Sequence, residues 1–160
     1  MTDTNKLLAQ CNISRLKFSL EHPDMREFYE FLEPVNQLAD KQDGFIWRLK
    51  SDYGEASSNL APVFNDPFMI INISVWKDVI SLHNFTFNTV HQYFLKNRSK
   101  WLSKVEGVQF VMWWIDNLQM PTIEEAMEKL KLLETYGASA HAFDWKNQFD
   151  KAGIQLKNLL

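Results

Sequence analysis

The stretch FMIINISVWK, residues 68–77, is a nearly continuous apolar and β-branched run. A short run of this make-up reads as a central strand covered on both faces. Upstream, LLAQCNISRLKF (residues 7–18) alternates Leu8, Gln10, Asn12 and Ser14 with Leu7, Ala9, Cys11 and Ile13, a period of two that predicts a strand with one drier face. Met25, Phe28, Phe31 and Leu32 then recur at helical spacing, and Val35, Leu38 and Ala39 continue the stripe. A kink or restart is expected at Pro34, which lacks an N–H and disfavours helix at Glu33, and Gly44 suits the position just past the helix end. GFIWRLK predicts a second strand with Phe45, Trp47 and Leu49 on one face. The polar stretch SDYGEASSNLAPVFNDP has no periodicity and reads as a hairpin connection or a lid over a binding site.

Past the central strand a helix is expected from about residue 78 to about residue 105, and VQFVMWWI reads as a fourth strand. PTIEEAMEKLKLLETYG carries explicit helix signals, a Thr122–Glu125 capping box at its start and Gly137 at its end. The tail holds an apolar cluster at Phe143 and Trp145 and then a weakly amphipathic helix. The order βαββαβ plus C-terminal helices defines an α+β, ferredoxin-like fold: an antiparallel sheet with two helices on one face. Residues 8–143 form the domain and 144–160 a C-terminal tail or helix. The uncovered face would carry rings such as Trp47, Trp76 and Trp113 or Trp114, and a second copy of the chain is the simplest cover, giving a homodimer.

Composition limits the function classes. Net charge is −3, so no general attraction to nucleic acid or an anionic membrane is implied, and Lys96, Arg98, Lys100 and Lys104 read as a solvated face. Cys11 is the sole cysteine, which excludes an internal disulfide and a multi-cysteine metal site and suits a small buried core thiol. No stretch approaches the roughly 18 apolar residues of a membrane span, and the first residues lack the pattern of a signal peptide, so a cytoplasmic protein is expected. Phosphate-binding glycine loops, the nucleophile elbow and two-histidine zinc spacing are absent.

GFIWRL, INISVWKDVISLHNF, the spacing of His91, Arg98 and Trp101, VMWW and PTIEEAMEKLKLLETYG together resemble the bacterial family called domain of unknown function 3291. The resemblance runs from about residue 8 to about residue 143. It implies the dimeric α+β barrel superfamily, which agrees with the order of elements. Within that superfamily the block Phe85, Phe87, His91, Arg98, Trp101 is similar to spheroidene monooxygenase, a haem-containing oxygenase. The haem-degrading monooxygenases of the fold use an Asn on the first strand, a Trp ending a central strand and a His on the next helix. Asn12, Trp76 and His91 stand at similar places here.

The resemblance therefore implies a catalytic set of His91, Asn12 and Trp76 and a haem site. On a continuous helix, residues seven apart lie about 20° from one another, so His91 and Arg98 share a face, while His83 is turned about 80° from His91. A single His with aromatic neighbours suits haem better than a small metal ion. His91 is the expected iron ligand and Arg98 the propionate partner, with Phe87, Trp101 and Trp76 lining the slot. The competing reading makes His91 a structural residue at a dimer interface. Three functions follow: a haem-binding protein or haem-dependent monooxygenase; a cofactor-free oxygenase or isomerase on an aromatic or quinone-like substrate; and a non-enzymatic dimer that binds a hydrophobic or aromatic small molecule.

Overall fold

The computed structural model describes residues 5–50, 66–89 and 91–157. Most of the polar stretch read as a connection or lid lies outside them. Among the described residues, five strands form one open antiparallel sheet. Its centre is β1 (Lys6–Leu16), flanked on one edge by β3 (Met69–Trp76) and on the other by β5 (Phe110–Asp116) and the two-residue β4 (Leu102–Ser103). β2 (Phe45–Arg48) closes the far side by pairing with β3. This is the ferredoxin-like order, built as an open sheet and not as a closed barrel. No helix among the described residues is long and apolar enough to cross a membrane.

Strand periodicity sorts the core by face. On one face lie Ala9, Cys11, Ile71, Ile73, Val75, Val111 and Trp113, packed against Ala126, Leu130 and Leu133 of α4 (Ile123–Tyr136). This helix starts and stops where its signals predict. Thr122 Oγ1 accepts from Glu125 N at 3.1 Å, and Gly137 at φ +75° ends the helix with its N–H on Leu133 O. Glu125 does not close a reciprocal capping box; its Oε1 accepts from the indole of Trp113. Trp113, on the face expected to be covered by a second copy, packs with residues of the chain's own last helix. The tryptophans also divide: Trp47 and Trp113 belong to this face, Trp76 and Trp114 to the other.

The second face is covered by α1 (Arg26–Asp40), α2 (Val79–Asn88) and α3 (His91–Asn97). α1 runs through Pro34 without a break. Both Pro34 and Glu30, whose carbonyl loses its partner, are exposed, so water replaces the missing bond. The C-cap of α1 is Lys41, not Gly44. Gly44 instead sits at φ +84° in the turn into β2, where an added Cβ would lie 2.0 Å from Ser81 Oγ. Arg48 ties β2 to α1 through Asp40, with Nε and Nη2 at 2.7 and 3.2 Å from its two oxygens, and reaches Glu33 at 3.6 Å.

Two expected helices come out differently. The long helix from about residue 78 is broken at Thr89, whose backbone is extended at φ −126°, ψ −172°. Thr86 and Thr89 return their hydroxyls to the carbonyls of Leu82 and Phe85, which competes with helix continuation. Thr89 Oγ1 also accepts from His91 N, so this residue closes α2 and opens α3. A 3-10 turn over Arg98–Lys100 and then β4 take up the remainder of the expected helix. The tail is not helical among the described residues: Phe143 exchanges both backbone hydrogen bonds with Met112, and Phe149 bridges Gln155.

Candidate functional site

The helix-covered face of the sheet has an unusual interior. At one end Leu8, Trp76, Met112 and Phe143 pack with Ala39, Leu82 and Phe85. At the other, Leu16, Met25, Phe28 and Trp101 form a separate cluster. Between them, at positions that point toward the helices, the sheet carries Gln10, Asn12, Asn72 and Ser74. Strand alternation puts these four on one face, and register places Gln10 opposite Ser74 and Asn12 opposite Asn72. The result is a polar band across a sheet that is apolar on both sides of it.

The band is hydrogen-bonded to itself. Gln10, only 3% exposed, donates from Nε2 to Asn72 Oδ1 at 2.8 Å and to Ser74 Oγ at 2.7 Å. Its Oε1 accepts from Asn12 Nδ2 at 3.1 Å. Ser74 Oγ also accepts from the indole of Trp76 at 2.8 Å. Gln10 thus lies on no wet face; satisfied bonds let an amide remain inside. Asn12 and Asn72 are half-buried.

An aromatic relay joins the band to His91. Trp76, 1% exposed, stacks on Phe85 with centroids 5.4 Å apart, and Phe85 contacts the His91 ring at 5.1 Å. His91 Nδ1 is 3.2 Å from Thr86 O. A carbonyl can only accept, so Nδ1 carries the proton and Nε2 keeps its lone pair, with no protein partner among the described residues. Burial depresses the imidazole's pKa below its ordinary 6.5, against the opposing pull of the Thr86 carbonyl, so a neutral ring is favoured. The three residues expected to be catalytic, Asn12, Trp76 and His91, are therefore linked through Gln10, Ser74 and Phe85. Gln10, Asn72 and Ser74 were missed in the sequence. The signal was available: polar residues at successive same-face positions of β1 and of the central strand.

Of the residues expected to form a haem slot, Phe87 lies on α2, His91 on α3 and Arg98 on the turn after α3. The slot's geometry assumed one helix through Phe87, His91 and Arg98; the break at Thr89 separates Phe87 from His91, and Arg98 falls in the 3-10 turn after α3. Phe87 packs on His83 and Trp145 at 4.7 and 5.5 Å instead of flanking His91. Trp101, 2% exposed, is a core residue against Phe28 and Phe94, and Arg98 is exposed on the turn before it. Phe87 thus does not flank His91, Trp101 is closed into the core, and Arg98 is exposed on the turn that follows α3. No group of three or more His, Cys, Asp or Glu among the described residues could hold a metal ion. A groove of about 430 Å³ along the β2 edge, lined by residues such as Asp40, Phe45, Trp47 and Arg48, contains none of the expected site residues.

The model of one protein family, Domain of unknown function (DUF3291), matches residues 7–158. The chain belongs to this family. Its match extends through the tail as well as the ferredoxin-like core. No curated protein matches the chain. Among solved structures, it is similar to a protein of unknown function from Nitrosomonas europaea, at 13% identity over 74% of this chain and 96% of that one, TM-score 0.47. It is similar to a conserved protein from Methanosarcina mazei, at 13% identity over 71% and 95%, TM-score 0.47. A dabb family protein with a ferredoxin-like fold from Mesorhizobium loti aligns at 12% identity over 72% and 99%, TM-score 0.39.

Proposed function

We propose that this member of the DUF3291 family binds a flat, uncharged aromatic or quinone-like molecule in the cleft between its sheet and α1–α3. There it acts as a cofactor-free oxygenase or isomerase, with His91 as proton acceptor. One observation carries this reading: the polar band of Gln10, Asn12, Asn72 and Ser74, held between two apolar clusters on the helix-covered face. Apolar walls with a few fixed polar groups are what small-molecule sites are made of. A neutral imidazole with a free lone pair is the form a general base must take. Asn12 orients the bound molecule, and the buried Trp76, through its indole hydrogen bond to Ser74 and its stack on Phe85, holds the groups around it in place.

The test is calorimetric titration with 1,4-naphthoquinone and with 2-quinolone, and haemin as a parallel arm. Saturable binding of either flat ring, weakened in Asn12→Leu, supports the site. Binding unaffected by Asn12→Leu, or no binding of any flat ring, overturns it. A saturable Soret shift with haemin that is lost in His91→Ala would replace this reading with the haem one.

A further inference from the structure

We infer that the Asn12–Asn72 pair reads the edge of the bound molecule, and that the molecule presents a cyclic amide there: an N–H beside a carbonyl. The inference rests on the cleft proposed above and narrows its ligand class. Asn12 and Asn72 face one another across β1 and β3. Directly opposed side chains have Cβ atoms about 4.5–5.5 Å apart, roughly the span of a lactam edge with its two partners. Each spends one end of its amide on Gln10: Asn12 Nδ2 donates to Oε1, and Asn72 Oδ1 accepts from Nε2. That leaves Asn12 Oδ1 and Asn72 Nδ2 without protein partners among the described residues, one acceptor beside one donor. Reversing all three amides exchanges the two free groups but again leaves one donor beside one acceptor, so the complementarity does not depend on amide orientation.

The surroundings fix two further properties of the ligand. Phe110 follows Asn12 in the same row, across the β1–β5 pairing, and lies parallel to Trp145 at 9° and 5.4 Å. A planar ring bound beside this wall would extend the stack. Arg48, opposite Ser74 in register, is already matched by Asp40 and Glu33, so it offers an anion no free charge. A neutral ring carrying a lactam edge, as in 2-quinolone, meets each condition. Half-buried amide groups with free valences hold water until such an edge replaces it.

The experiment compares 2-quinolone with N-methyl-2-quinolone on the full chain by calorimetry. Methylation removes the N–H and keeps ring and carbonyl. The expected result is at least about tenfold weaker binding of the methylated ring, since Asn12 or Asn72 is then left unpaired in the cleft. Asn12→Leu and Asn72→Leu, checked for native melting, should each erase the difference between the two ligands. Equal binding of both rings to the wild-type chain overturns edge recognition and leaves the cleft standing. Binding of 1,4-naphthoquinone without 2-quinolone overturns the lactam class alone. If no flat ring binds, the cleft reading fails and this inference fails with it.

Discussion

Replacing Gln10 with leucine is the sharpest probe of the polar band. The two side chains are similar in size, so the substitution removes hydrogen bonds with little change in packing volume. Three are lost, to Asn72, Ser74 and from Asn12. At about 1 kcal/mol net each they amount to about 3 kcal/mol. Ser74 keeps the Trp76 indole, and Asn12 and Asn72 are half-buried and can recover water. Burying an apolar side chain in place of the amide returns on the order of 1 kcal/mol. A net destabilisation of about 2 kcal/mol remains, which lowers the melting temperature by roughly 4–8 °C in a chain of this size. Urea unfolding measures it, with the midpoint moving and the slope unchanged. A double-mutant cycle with Ser74→Ala should show a coupling of at least about 0.5 kcal/mol, because the bond joins two buried groups. A Gln10→Leu chain as stable as the wild type, with no coupling, would refute the claim that the band holds the sheet face together.

His91 gives a pH dependence. Its folded pKa lies below the unfolded value near 6.5, so the unfolded chain takes up the proton first and stability falls as pH drops below about 6.5. Above that pH the ring is neutral in both states and its effect is constant; in melting curves from pH 8 to 5 the stability of the wild type relative to His91→Gln should fall toward acid. Cys11 is buried among core residues with its thiol pushed up to about 12, so a disulfide-exchange reagent should label it only as fast as the chain unfolds. Rapid labelling of the native protein at pH 8 would contradict that packing. Gly44→Ala should cost about 2 kcal/mol or more, from its positive φ and the meeting of the new Cβ with Ser81. In chemical unfolding, adding Ser81→Gly should recover only the part due to the contact.

Much was legible in the sequence because it is written in local periods. The alternation in residues 7–18, the β-branched run at 68–77 and the signals at Thr122 and Gly137 fix elements whose neighbours in the chain are their neighbours in space. Those elements, in that order, suffice for a ferredoxin-like sheet. The break at Thr89 was less visible. A β-branched residue is tolerated in many helices, and only the hydroxyl bonds to Phe85 and from His91 show that this one ends α2. That single break moves His91 out of register with Phe87, the ring that helical arithmetic had placed beside it.

Which side of each strand faces what was a tertiary decision. The sequence specified that Gln10, Asn12 and Ser14 share a face, since alternation depends on the backbone alone. It did not say that α1 to α3 would close over that face and α4 over the other, because a helix chooses its place by the apolar area it can bury from a distant part of the chain. A polar face left in water is merely a wet surface; the same residues under three helices become a hydrogen-bonded band with two amide ends that have no partner among the described residues, and only the folded chain places Asn72 opposite Asn12 to make that pair.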